Sequence, residues 1–210
     1  MADTDVTVQT LIDNSIIRGR DLDKENDRIV DAQLLKFVNK AREYVHKLLI
    51  QYDSEIGKET DTITMSGGTQ EYTLEGNLDD FWVMSPNGVY FGTTPLIPVT
   101  YQEKIRVGSA MTDSAPTMYY LTKDKIGLVQ TPSEVAAAAY PTLNCRYFKY
   151  PTALALTDNM PYKNAFNEAI SAFMSSMGAL AAEKSTAEFT AIYNALEEST
   201  LDIINRRIPL

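Results

Sequence analysis

The chain carries a single histidine, His46, and a single cysteine, Cys145. A Ser-His-Asp relay would have to use His46, yet no G-x-S-x-G elbow accompanies it. The imidazole falls mid-helix, one residue from an apolar stripe, where a packed or surface histidine is the default. Cys145 lies inside a strand pattern, and a cysteine there acts as a small buried hydrophobe. One Cys and one His cannot build a structural zinc centre. Asp21, Asp23, Glu25 and Asp27 alternate as Ca²⁺ ligands do. The glycine and closing glutamate of a helix-loop-helix site are missing, so a solvated charged loop is expected. Glu197 and Glu198 read as a solvated helix face, and no two carboxylates pair as the acid and base of a hydrolase. Gly67-Gly68 lacks the G-x-x-x-x-G-K-[ST] spacing of a phosphate loop. Arg146 to Tyr150 interleaves bases with aromatics, as some nucleic-acid-binding sheets do. No RNP motif is present, and core aromatics with snorkelling basic side chains are the simpler expectation. The sequence therefore predicts no catalytic residue, no cofactor and no metal: not an enzyme.

The elements that hold these residues must form one good core, or a core with a helical appendage, in 210 residues. Hydrophobic content of 44% and charged content of 22% are those of a soluble globular protein. No apolar run approaches the roughly 18 residues that cross a bilayer, so no membrane is expected. The polar, acidic start MADTDVTVQT is unlike a secretory signal. Net charge of −9 argues against a general nucleic-acid binder and suits a surface that DNA passes without sticking.

Periodicity organises the rest. Val8, Leu11, Ile12 and Ile16 predict a short helix over Thr7 to Ile17, with Gly19 a plausible stop. Leu34, Val38, Ala41, Val45, Leu48 and Tyr52 predict an amphipathic helix from Ala32 to Tyr52, capped by Asp31 and broken at Gly57. From Thr62 the period changes. Residues 62–65 and 70–74 read as a hairpin across Ser66-Gly67-Gly68-Thr69. Phe81 to Met84 and Val89 to Phe91 read as two strands around a Pro86-Asn87-Gly88 turn. Leu96 to Val99 is an edge piece, Tyr101 to Val107 a turn or two of helix, and Gly108 to Ala115 a loop. Met118 to Leu121 and Lys125 to Gln130 form a hairpin. Leu143 to Tyr150 is the return strand of that sheet, with aromatics on both faces.

The last third is helical. Asp158 to Pro161 is a start signal. Ala165, Ala169, Ala172, Ser176 and Ala179 form a small-residue stripe that lets a neighbouring helix approach closely, with Phe166, Ile170, Phe173, Met177 and Leu180 on the adjoining face. A second helix opens at Ser185 with a capping box to Glu188, and its apolar face is Phe189, Ile192, Leu196 and Ile203. The expected class is α+β, with helices from both termini packed together beside a small antiparallel β-sheet domain. The expected division is 1–60 N-terminal helices, 61–152 β domain, 153–205 a helical pair completing the bundle, and 206–210 a basic-apolar tail. An apolar tail exposed at a chain end calls for a docking partner.

Several motifs share one order. Gly68 to Leu74 resembles a G-x-x-x-Y-x-L hairpin, and Pro116 to Leu121 a P-x-x-Y strand. Lys125 to Pro132 is similar to I-x-L-x-P-x-P, with Val129-Gln130 departing at the first proline. Arg146 to Pro151 is close to R-Y-Y-x-x-P. Leu156-Thr-Asp158 leading to Pro161, and Leu34, Leu35 and Asn39 in the first long helix, fit the same pattern. In these motifs the chain resembles the adaptor, or head-to-tail connector, proteins of tailed bacteriophages. The alanine run Ala136 to Ala139 and the non-acidic Gly88 to Gly92 region depart from it.

The resemblance implies a structural virion protein of the neck, assembled in the host cytoplasm. It implies a ring of about twelve copies, a dodecamer, under the portal protein, as heterologous contacts that close would form. The ring would extend the DNA channel without specific DNA binding and offer a platform to tail or nozzle proteins. Within that expectation Thr200 to Leu210 engages the portal. Ile203, Ile204, Ile208 and Leu210 are the apolar anchors, and Arg206 and Arg207 meet acidic groups. Another tail-completion or neck component, and a ligand-binding module with an aromatic sheet face, are the alternatives.

Overall fold

The computed structural model describes residues 6–18, 31–108, 110–161, 164–183 and 189–206. In chain order the elements are α1 (Val8–Arg18), α2 (Asp31–Gln51), β1 (Lys58–Thr64), β2 (Glu71–Thr73), β3 (Phe81–Phe91), β4 (Thr94–Pro95), β5 (Ile97–Pro98) and α3 (Tyr101–Val107). They continue with β6 (Met111–Thr112), β7 (Met118–Leu121), β8 (Lys125–Leu128), β9 (Thr131–Pro132), α4 (Glu134–Ala139), β10 (Thr142–Lys149), α5 (Asn164–Glu183) and α6 (Phe189–Arg206). The fold is α+β. It divides into two compact units, one of Met1–Ser54 with Pro151–Leu210 and one of Glu55–Tyr150.

In the helical unit, α2 buries the stripe that its 3.6-residue period predicts: Leu34, Val38, Ala41, Val45 and Leu48, widened by Leu49. Its end is set earlier than Gly57. Asp53 takes a left-handed φ of 45°. Its N–H donates to Ile50 O at 3.0 Å, and Ser54 N–H donates to Leu49 O at 2.9 Å, the two bonds of a Schellman cap. Helix α5 packs against α1, α2 and α6. Tyr193 on α6 stands edge-on to Phe173 at 5.0 Å and to Tyr44 at 5.4 Å, joining three helices through ring contacts.

Residues 151–160 tie this unit together. Asn39 exchanges two hydrogen bonds with the backbone of Leu154, and Arg42 donates to Thr152 O. The first amides of α1 would otherwise lack acceptors. Val8 N–H donates to Asp158 O and Gln9 N–H to Leu156 O, each at 3.0 Å. The Gly19 stop, the 18–27 loop beyond Arg18 and the Ser185–Glu188 capping box lie outside the described residues.

The β unit departs from the expected pairings. One sheet has the order β1-β10-β3-β4 and a second β2-β8-β7-β5. Strands β1 and β2 are therefore not a hairpin: β1 pairs with β10 (Ile63 opposite Leu143) and β2 with β8 (Tyr72 opposite Ile126). Between them the chain passes from one sheet to the other. There Gly68 has φ of 73° and donates to Pro132 O at 2.9 Å. Strands β7 and β8 form the expected hairpin, but β10 returns to the other sheet. Not every pairing is antiparallel, since β5 runs parallel to β7 and β6 parallel to β9. The 108–115 stretch thus contributes a short strand.

The two strands expected around Pro86-Asn87-Gly88 are one strand, β3. Both halves pair with β10, Met84 opposite Tyr147 and Val89 opposite Cys145. Residues 85–88 thus bulge against Arg146 alone. A Cβ on Gly88 would lie 2.2 Å from Arg146 O, so only glycine admits this approach. The alanine run is helix α4, its N-cap Ser133 accepting from Ala136 N–H. The core of the unit includes Ile63, Tyr72, Leu74, Val89, Phe91, Tyr119, Leu128, Leu143, Cys145 and Tyr147, all buried.

Candidate interaction surfaces

The residues that could do chemistry are held as structure. Cys145 is buried, and burial, with Asp61 adding, pushes its thiol up to about 12. A thiol held neutral is neither nucleophile nor ligand. His46 is buried on α2. The Asp21–Asp27 carboxylates lie outside the described residues. Among the described residues no three His, Cys, Asp or Glu side chains are placed to hold a metal ion. Gly67 is packed against Glu134, where a Cβ would meet the α4 backbone at 2.7 Å, so no phosphate could sit there.

The aromatic-basic strand is paired internally. Tyr147 is buried, donating to Asp61 Oδ2 at 2.6 Å and Asp79 O at 3.1 Å. Phe148 is buried too, with Lys58 Nζ 5.9 Å from its ring centre. Arg146 pairs with Glu55, and Lys149 with Asp79 at 2.8 Å. Tyr150 is exposed and meets Trp82 edge-on at 5.5 Å. Tyr147 and Phe148 are therefore withdrawn from the surface that a stacking platform would need.

A second tyrosine-carboxylate pair, Tyr120 Oη to Glu71 Oε1 at 2.7 Å, joins β7 to β2 across β8. The hydroxyl, aided by Lys125, holds the Glu71 carboxyl below its usual range. Burial, with Glu71, pushes the phenol up. The Tyr120 ring lies over Gly127, where a Cβ would stand 2.1 Å from Cζ.

The β unit leaves several large apolar side chains exposed. Helix α3 buries none of its residues, although Thr100 and Glu103 close a full capping box. Ile105 is 63% exposed, Val107 57% and Met111 68%. Val135 on α4 and Tyr140 at its C-cap are exposed as well. In the same unit Asp61, Leu74, Glu75, Leu78, Asp80 and Asp124 line a cleft of about 680 Å³, together with Asp79 and Lys123. Sequence reasoning placed α3 but missed its exposed apolar face. The sign was there in Ile105-Arg106-Val107, apolar residues with no periodic partner row.

In the helical unit, Ala169 is buried and Ala165 half-buried, whereas Ala172 and Ser176 are exposed. The buried face of α5 is the adjoining one that the spacing predicts, Phe166, Ile170, Phe173 and Met177, with Met174 added. The side chain of Ala179 lies outside the description. At the C-terminus Thr200 and Ile204 are buried and Ile203 is half-buried. The side chain of Arg206 and all of Arg207, Ile208 and Leu210 lie outside the described residues.

A family model described as SU10 adaptor protein matches residues 6–208. The chain belongs to this phage head-tail adaptor family. No curated protein matches it significantly. The match takes in both units of the adaptor, the exposed α3 as well as the helices at either end. No described helix of this adaptor is long and apolar enough to cross a membrane.

Proposed function

We propose that this phage adaptor assembles as a ring beneath the portal protein, extends the DNA channel and gives tail or nozzle proteins their platform in the virion neck. The match of the adaptor family to residues 6–208 carries this reading. Its role is structural rather than catalytic. A ring needs two different side surfaces on each copy, a heterologous contact that closes, and a dodecamer is one such closure. Exposed apolar residues in a unit with a complete core of its own support such a use. Net charge of −9 lets a wall face DNA without gripping it.

The portal contact is assigned to the end of the chain, with Arg206, Arg207, Ile208 and Leu210 as its core and Ile203 at its base. Ile204 is packed within its own unit and is better counted as core. The test is the mass of the protein alone and mixed with its portal. A small species alone that becomes a closed ring on the portal is expected. A protein that leaves portal particles undecorated sinks the reading.

A further inference from the structure

We propose that α3 is one half of the contact between copies and that the acidic cleft of the next copy is the other half. This rests on the ring reading above. Helix α3 is held at its start, where Tyr101 meets the Tyr120 ring edge-on at 5.6 Å and Lys104 Nζ lies 5.4 Å from the same ring centre. Beyond that anchor it presents Ile105, Arg106 and Val107, all exposed with the whole chain present. The sequence apolar-basic-apolar lies on a helix with a full capping box and stays mostly exposed among the described residues. Its one acid, Glu103, is turned back onto the helix start, accepting from Thr100 N–H at 2.7 Å.

The cleft is its complement. Half-buried Phe81 gives it apolar surface over the buried Leu74 and Leu78, and Glu75, Asp80 and Asp124 give it an acidic lining. Asp79 is already paired with Lys149, and Lys123 is the cation among the described lining residues. Opposite charge around apolar residues fixes which surface meets which. An α3-to-α3 dimer would instead set Arg106 against its own copy. Because helix and cleft are different surfaces of one subunit, their contact is heterologous and can close into a ring.

The experiment is disulfide trapping in the full chain carrying Val107→Cys and Glu75→Cys, mixed with portal and then oxidised. Cys145 is buried, so it does not compete with the introduced pair. A ladder of covalent multimers is expected, with none from either single variant. As a second arm, Arg106→Glu is expected to weaken ring assembly at least tenfold, and adding Glu75→Lys with Asp124→Lys to restore it. A ring of unchanged mass that gives no ladder overturns the α3 contact and leaves the ring standing. Cross-links to portal or tail polypeptides in place of self-linked products also overturn it. Absence of self-association, alone and with portal, overturns this contact and the ring together.

Discussion

Asn39 grips both sides of one peptide: its Nδ2 donates to Leu154 O at 3.1 Å and its Oδ1 accepts from Leu154 N–H at 2.8 Å. One amide side chain thus fixes the chain where it re-enters the helical unit. Asn39→Ala strands a partly buried donor and acceptor, a loss of about 2 kcal/mol. Urea denaturation checks this, and an unchanged midpoint would show the strap to be incidental.

Gly88 separates a bulge from a turn. Were Pro86-Asn87-Gly88 an open hairpin turn, alanine at 88 would meet no facing backbone and would cost only about 1 kcal/mol of left-handed strain. With Arg146 O in the way, Gly88→Ala must shift backbone, a loss of about 3 kcal/mol or more. Thermal unfolding of this variant beside Gly76→Ala, whose Cβ would meet nothing within 4 Å, separates contact from backbone strain.

The Tyr120–Glu71 bond makes stability pH-dependent. A carboxyl held below its usual value stabilises the fold above its unfolded pKa and loses that contribution as pH falls through its folded one. Glu71→Gln is therefore expected to flatten the decline in stability below about pH 4. The raised phenol acts oppositely: its contribution is present below about pH 10 and is lost as pH rises further. Urea midpoints of wild type, Glu71→Gln and Tyr120→Phe across pH check both limbs. Parallel acid limbs in wild type and Glu71→Gln would refute the assignment.

Cys145 is expected to be inert to a thiol reagent at pH 8 in the folded protein and to react fully in denaturant. Its thiol is pushed up to about 12, and its side chain is buried in the core of the β unit. Rapid labelling of the native protein would contradict that burial.

Truncation separates the tail from the core. Removing 207–210 is expected to leave the unfolding midpoint within about 0.5 kcal/mol of wild type and to abolish portal binding. Removing 200–210 also takes away Thr200 and Ile204, both buried, and is expected to destabilise the helical unit. Calorimetry and portal pull-down on the two truncations check this. Portal binding by the shorter deletion would move the contact elsewhere.

Helices were legible where an apolar period repeated over several turns. Leu34 through Leu48 needed only the 3.6-residue repeat to declare their buried face. Strand positions were legible too, because alternation marks a half-covered ribbon. Their neighbours were not. A period of two says which face is buried, not which strand lies alongside. Gly67-Gly68 therefore read as a hairpin turn when the chain there changes sheets. Pro86-Asn87-Gly88 read as a turn when a single facing strand, β10, spans both flanks. The end of α2 turned on Asp53 adopting a left-handed conformation more usual for glycine or asparagine, which composition does not announce.

The sequence by itself determined the class, the apolar face of α2 and the lack of a catalytic pattern. These depend on residue types at short spacing. It also determined the family through the order of its motifs. Only the tertiary structure decided that Tyr147 and Cys145 are core, that Asn39 holds Leu154, and that Ile105 and Val107 stay uncovered. Each of those outcomes depends on which distant segment arrives alongside, and burial is a property of that arrival rather than of the residue.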